Sequence, residues 1–157
     1  MRNFATILLQ IAVGCIGLGA IAFLLWEPHV EGRNAHATIF EIYFKDPFLA
    51  YVYLGSTPFF IALHRVFKLL AHLRQTGSVS QVTVDGLRTI RRCAITLIGF
   101  IAGAEVYIFV AVRGKDDVAG GVMMGLALMS VFAVTAAAAA VLERTLQSSV
   151  GLKSEKT

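Results

Sequence analysis

The stretch HRVFKLLAHLRQTGSVSQVTVDGLRTIRR, residues 64–92, decides the fold of this chain. Against one acid, Asp85, it carries six basic residues: Arg65, Lys68, Arg74, Arg88, Arg91 and Arg92. Long apolar runs lie on both sides of it. Basic residues beside apolar spans keep a loop on the cytoplasmic side of a bilayer, because positively charged loops resist translocation. The stretch therefore predicts a membrane protein and its orientation, but it indicates no chemistry.

The composition favours membrane integration over a water-soluble domain. Of the 157 residues, 57% are hydrophobic and only 15% are charged, and the mean hydropathy is +0.72. Soluble domains are typically about 45–50% apolar and about 25% charged. The net charge of +4 is clustered beside apolar runs rather than spread over a soluble face. It therefore gives no reason to expect direct binding of nucleic acid.

Four stretches are long enough to cross a bilayer core of about 30 Å, which needs roughly 20 residues in a helix. They cover residues 4–26, 48–70, 93–112 and 122–142. The first could instead be a cleaved secretory signal, but its apolar run continues to Trp26 and favours an uncleaved anchor. We predict an all-α polytopic membrane protein, a single domain over residues 1–157 with four transmembrane helices in a bundle.

A further short helix is predicted on the cytoplasmic side, between spans two and three. Gly77-Ser78 breaks the second helix, and Ser80 is suited to cap a new one. The apolar residues that follow recur at near-helical spacing and predict an amphipathic helix: Val79, Val82, Leu87 and Ile90.

The distribution of charge predicts that both termini are cytoplasmic. This orientation places ten of the fourteen Lys and Arg residues inside, in the 64–92 segment, at Arg2 and in the C-terminal tail. The opposite orientation would place four inside. A bacterial inner membrane is the expected location.

Glu105 is the only acid deep in a predicted span. A carboxylate at membrane depth is costly and usually faces a bundle interior, finds a partner or stays protonated. Glu105 could thus serve a transport path, together with a hinge at Pro58, which lies inside the second span and is predicted to kink it. The simpler interpretations are a position near the outer interface for Glu105 and a static bend at Pro58, whose missing hydrogen bond Ser56 or Thr57 could help to replace.

Two G-x-x-x-G motifs, Gly99–Gly103 and Gly121–Gly125, offer surfaces of small residues for close helix packing. Packing of the third span on the fourth within one chain is favoured, and homo-oligomer formation is the alternative.

No catalytic constellation is present in the sequence. It contains no nucleophile motif, phosphate-binding loop or paired carboxylates, and its two cysteines fall in apolar runs without the spacing of a metal site. We therefore predict no enzyme, no cofactor and no metal.

From about Tyr53 to Glu155 the chain resembles the bacterial family known as domain of unknown function 2975. Six blocks carry the resemblance: residues 57–63 (TPFFIAL), 68–70 (KLL), 87–94 (LRTIRRCA), 115–120 (KDDVAG), 140–146 (AVLERTL) and 152–155 (LKSE). The resemblance implies a small four-span membrane protein without an assigned activity. Members are often encoded beside a small helix-turn-helix regulator, which implies a regulatory pair. This chain departs from the family in its longer acidic first loop, in Glu105 and in its C-terminal end.

The sequence thus predicts a non-enzymatic accessory or regulatory membrane protein. Its basic segment 64–92 would meet anionic lipid of the bilayer or a cytoplasmic protein partner, with Arg88, Arg91 and Arg92 as candidate contacts. The alternative is a small transporter, or a subunit of one, that uses Glu105 and the Pro58 kink.

Overall fold

Four long helices make up the structure, a computed structural model that describes residues 2–30, 38, 40, 47–112 and 119–154. Helix α1 spans Arg2–Val30, α2 spans Pro47–Thr76, α3 spans Gln81–Tyr107 and α4 spans Ala119–Ser154. A π-helical segment, Ile108–Val112, continues α3. The all-α prediction is confirmed, and the described ranges contain no strand.

Three of these helices are long and apolar enough to cross a membrane, over Phe4–Trp26, Gln81–Val110 and Ala119–Val150. Helix α2 has the length but not the hydropathy, because Ser56, Thr57 and Pro58 interrupt its apolar run and basic residues occupy its end. The structure therefore bears out three of the four predicted spans by length and composition.

Contacts divide the chain into two compact units, Met1–Arg74 and Gln75–Thr157. In the first unit, α1 and α2 run antiparallel. The guanidinium of Arg74 donates to Gln10 Oε1 at 3.4 Å, and near the other end Tyr53 Oη donates to the carbonyl of Leu24 at 2.8 Å.

The Tyr53 hydrogen bond replaces a backbone hydrogen bond that the sequence of α1 makes impossible. Pro28 lies within α1 and has no N–H to donate to the Leu24 carbonyl, four residues earlier. An unsatisfied carbonyl is costly wherever water is excluded. The Tyr53 hydroxyl supplies the donor that Pro28 lacks.

The second unit is an antiparallel hairpin in which α3 and α4 pack closely. The buried positions of α3 recur every three or four residues, which is the spacing of one helix face: Thr83, Val84, Gly86, Ile90, Cys93, Ala94 and Leu97. Ala139 and Glu143 of α4 are buried with them. Most other apolar side chains of α3 and α4 are exposed, as lipid-facing residues would be.

The predicted amphipathic helix forms the first turns of α3 rather than an element of its own, because the helix continues without a break into the third span. The predicted apolar face is partly wrong. Val79 and Val82 are 37% and 60% exposed, while Thr83 and Val84 are buried. The buried side of α3 is set by α4, which needs the small and compact residues at positions 83, 84 and 86 for close approach.

Candidate functional site

The basic segment 64–92 consists of two helix ends joined by a tight turn. Gly77 has φ 63°, a left-handed conformation that glycine adopts without a steric penalty, and it ends α2 directly after Thr76. Ser80 is extended (φ −134°, ψ 174°), and its N–H donates to Thr83 Oγ1 at 3.5 Å as α3 begins. The predicted break at Gly77-Ser78 and the cap at Ser80 are both confirmed.

Two of the three candidate arginines bind a carboxylate of α4. Arg88 Nε donates to Glu143 Oε1 at 2.9 Å, and Arg91 Nη1 lies 3.1 Å from Glu143 Oε2, within ion-pair distance although not aligned as a hydrogen bond. The Glu143 side chain is only 7% exposed, whereas those of Arg88 and Arg91 are 34% and 32% exposed. This cluster joins α3 to α4, and the one carboxylate of Glu143 is shared by two of the three arginines that the sequence assigns to a partner.

The third candidate, Arg92, is not part of this cluster. Its side chain is exposed, and no hydrogen bond or ion pair joins it to a residue in the described ranges. Asp85, the acid of the segment, also belongs to the arginine network, since it lies 3.4 Å from Arg88 Nη1 while remaining 58% exposed.

The basic residues of α2 form a separate group in the first unit. Arg65 and Lys68 are exposed, whereas Arg74 in the last turn donates to the buried side chain of Gln10. The 64–92 segment is therefore not a uniform positive surface. After internal pairing, its free cations within the described chain are Arg65, Lys68 and Arg92.

At the opposite end of the α3–α4 hairpin, Glu105 packs closely against Gly125. Its carboxyl group is directed at the backbone of Gly125, where Oε1 occupies the space that a Cβ on Gly125 would need and the carboxyl carbon lies 2.6 Å from that position. Oε2 is buried without a hydrogen-bond partner in the described chain. Beside it lies an open apolar groove of about 340 Å³ between residues such as Val106 of α3 and Leu126 of α4.

This contact explains only the second of the two G-x-x-x-G motifs. Gly125 is buried, and a Cβ on Gly121 would come within 3.9 Å of Ile108 Cδ1. Gly99 and Gly103 are exposed, and a Cβ on Gly99 would meet no atom within 4 Å. The expected packing of the third span on the fourth therefore uses Gly121–Gly125, and Gly99–Gly103 faces away from the neighbouring helix.

Pro58 does not interrupt α2, which continues from Pro47 to Thr76. The nearby hydroxyls of Ser56 and Thr57 donate to the carbonyl of Tyr53, at 2.8 and 3.5 Å. The carbonyl that Pro58 leaves without its usual donor is that of Leu54, four residues before the proline. The hydroxyls therefore do not replace the bond that the proline removes, as the sequence had suggested they could.

No group of three or more His, Cys, Asp or Glu residues within the described ranges could hold a metal ion. Neither cysteine forms a disulfide, and Cys15 is exposed whereas Cys93 is buried.

Glu143 is the residue that sequence reasoning missed. Glu143 lies one residue beyond the predicted span 122–142, so it counts with Arg144 among the charges of the C-terminal tail. A signal for its role does exist, because positions 88 and 143 are equally distant from the connection between α3 and α4. In an antiparallel hairpin with a short connection such positions lie side by side, and the same symmetry pairs 105 with 125.

Comparison with known proteins places the chain among proteins without an assigned activity. A model of the family described as "Protein of unknown function (DUF2975)" matches residues 31–157. The chain is 32% identical over 156 residues to a protein named "Uncharacterized membrane protein YoaS" from Bacillus subtilis (strain 168), covering 99% of this chain and 97% of that protein. No solved structure matches the chain.

Proposed function

Because this chain belongs to the protein family of unknown function DUF2975, we propose that it is a four-span bacterial inner-membrane protein that acts as a non-enzymatic accessory or regulatory protein. Its relatives are uncharacterised, so the proposal depends on this chain's own residues. In it, both termini and the 64–92 segment lie in the cytoplasm, and the chain forms one membrane domain.

The contacts of α2 support its role as a span in addition to the three helices that length and hydropathy indicate. It meets α1 at Gln10 and again at Leu24, fourteen residues apart, which is about 21 Å at 1.5 Å per residue. An element that follows α1 over this distance lies beside it through most of a bilayer core of about 30 Å. The polar residues of α2 lower its hydropathy, but the hydroxyl of one of them, Tyr53, is hydrogen-bonded to α1.

The orientation can be tested by labelling single cysteines in whole cells. In a variant without Cys15 and Cys93, cysteines at Ser78 and Thr157 should react with a membrane-impermeant maleimide only after the membrane is opened. A cysteine at Asn34 should react from outside. Labelling of Ser78 in intact cells would overturn the proposed orientation and, with it, a cytoplasmic role for the basic segment.

One observation carries the accessory role: Arg65, Lys68 and Arg92 remain exposed after Glu143 has taken Arg88 and Arg91. Exposed charges without internal partners favour and orient the approach of a partner of opposite charge. Photo-crosslinking tests this in living cells, with a benzophenone amino acid at the exposed positions Gln75 and Val82, which leaves every basic residue intact. A discrete protein adduct at either position, absent from a control at Val134 on α4, is the expected result. Identical patterns at all three positions would contradict a cytoplasmic partner.

The alternative function, a small transporter or transporter subunit, is favoured by one observation, the buried and unpartnered Oε2 of Glu105. Buried acids in membrane spans mark ion or proton pathways in many transporters. A complementation assay in a strain that lacks the protein tests this idea. If Glu105→Gln restores the wild-type phenotype, the ionisable group at position 105 is not required for function. That result would contradict the transport hypothesis and leave Glu105 as a packing residue.

Contact between copies of the chain is a further part of the proposal. The exposed Gly99 and Gly103 give α3 a surface on which a second copy could approach closely. Replacing both by Leu and comparing the masses of the purified detergent complexes tests it.

A further inference from the structure

We propose that the exposed face of α2 at its basic end binds an anionic phospholipid, with Arg65 and Lys68 on the headgroup phosphate and Ile61 beside the acyl chains. The inference refines the proposed function, since it depends on this end of α2 facing the cytoplasmic leaflet. It assigns the α2 half of the basic segment to lipid and leaves the α3 half, with Arg92, for a protein partner.

The order of exposed side chains on this face matches the two parts of an anionic phospholipid, its acyl chains and its headgroup. Leu54, Ile61, Arg65 and Lys68 are exposed and follow one another at seven, four and three residues, so they lie on one side of the helix. Along this side the surface changes from apolar to basic within one turn. Leu54 is 64% exposed and Ile61 is 45% exposed.

The charge on this face has no internal counterpart. Helix α2 contains no Asp or Glu over its whole length from Pro47 to Thr76. No ion pair joins Arg65 or Lys68 to a residue in the described part of the chain, in contrast to Arg88 and Arg91 on α3. Both cations also precede the last turn of α2, beyond the reach of the partial negative charge at its end.

The apolar part of the face decides between a lipid and a soluble anion. A free phosphate would use the two cations but gain nothing from the exposed Leu54 and Ile61. A phospholipid satisfies both parts at once, because basic residues beside a span attract anionic headgroups while apolar ones contact the chains. Charge complementarity and the apolar-to-basic order therefore both select a lipid.

Native mass spectrometry of the full chain in mild detergent tests the inference. We expect the wild type to retain phosphatidylglycerol in preference to phosphatidylcholine of the same acyl chains, by about thirtyfold from two basic contacts. Arg65→Gln with Lys68→Gln should abolish the preference. The matched control, Arg92→Gln with Arg144→Gln, removes the same charge from exposed positions of the other unit and should preserve it. Equal loss in both variants, or no preference in the wild type, would overturn the proposal.

Two further arms identify the occupant and guard against misfolding. Inorganic phosphate in millimolar excess should not displace the bound phosphatidylglycerol, and displacement would assign the face to a free anion. A photo-reactive residue at Ile61, on the proposed face, should yield lipid adducts in cells, and a protein adduct there would overturn the proposal. The charge-preserving pair Arg65→Lys and Lys68→Arg should keep the lipid preference. Lipid retention in detergent does not depend on orientation, so its failure is distinguishable from failure of the topology.

Discussion

At the scale of single residues, the two acids of the α3–α4 hairpin have different roles. Glu143 is buried and holds two arginines, so it stabilises the hairpin by charge. Glu105 fills space that only a glycine on the opposite helix leaves open. Both contacts require a particular residue on each helix, and both give testable predictions.

Glu143→Gln should lower the free energy of unfolding by about 2 kcal/mol, because it leaves Arg88 and Arg91 half-buried without their anion. The estimate lies below that for a fully buried pair, since both arginines are about one-third exposed. Thermal unfolding in detergent measures the change. Asp85→Asn is the matched control, as it makes the same replacement beside the same Arg88 but at a 58% exposed carboxylate. A loss for Asp85→Asn as large as that for Glu143→Gln would contradict the assignment.

Gly125→Ala should destabilise the hairpin by about 1 kcal/mol, the low end of the range for overpacking, because the new Cβ would displace the flexible end of the Glu105 side chain. Glu105→Ala should restore most of the loss in the double variant by removing the side chain. Gly120→Ala is the control, since a Cβ there meets no atom within 4 Å. The measurement is the unfolding temperature of Gly125→Ala, Glu105→Ala, the double variant and Gly120→Ala. Additive losses in the double variant would disprove the contact.

At the scale of elements, each helix pair is joined near both ends by a contact that involves a polar or charged side chain. The α1–α2 pair has Gln10 with Arg74 and Leu24 with Tyr53, and the α3–α4 pair has Glu143 with its arginines and Glu105 with Gly125. Helices in lipid gain little from burying apolar surface on one another. Specific contacts of this kind therefore decide which faces meet.

The role of Tyr53 can be isolated by a double-mutant cycle with Pro28. Tyr53→Phe should cost about 1–2 kcal/mol in the natural chain, because the Leu24 carbonyl loses its donor. In a Pro28→Ala background the new N–H at position 28 can donate to Leu24, so the same change should cost much less. The measurement is the unfolding free energy of the four proteins. Equal costs in both backgrounds would show that the tyrosine acts through packing alone.

At the scale of the whole molecule, the two polar contacts of the α3–α4 hairpin mark the edges of an apolar band. Seventeen residues separate Arg88 from Glu105 on α3, and eighteen separate Gly125 from Glu143 on α4. At 1.5 Å per residue the contacts lie about 25–27 Å apart, close to the bilayer core thickness of about 30 Å. With the proposed orientation, we therefore predict that Glu105 lies near the outer interface rather than at the membrane centre.

The spacing predicts how the protein responds to bilayer thickness. Its unfolding temperature in phosphatidylcholine bilayers of increasing acyl length should pass through a maximum where the core is near 25–30 Å, because thinner or thicker bilayers impose a mismatch. Measurement across such a series checks this, with the same lipid headgroup throughout. A monotonic trend would show that the polar contacts do not lie at the edges of the hydrocarbon core.

Sequence by itself determined what depends on neighbours along the chain. The presence of α1, α3 and α4, the break at Gly77 and the start of α3 after Ser80 follow from apolar runs and from backbone preferences that act within a few residues. Only the tertiary structure decided which charges stay available. Arg88 and Glu143 are 55 residues apart, and their pairing depends on the register of two antiparallel helices. Because that register gives Arg88 and Arg91 to Glu143, only Arg92 of the three candidate arginines is left exposed and outside the cluster.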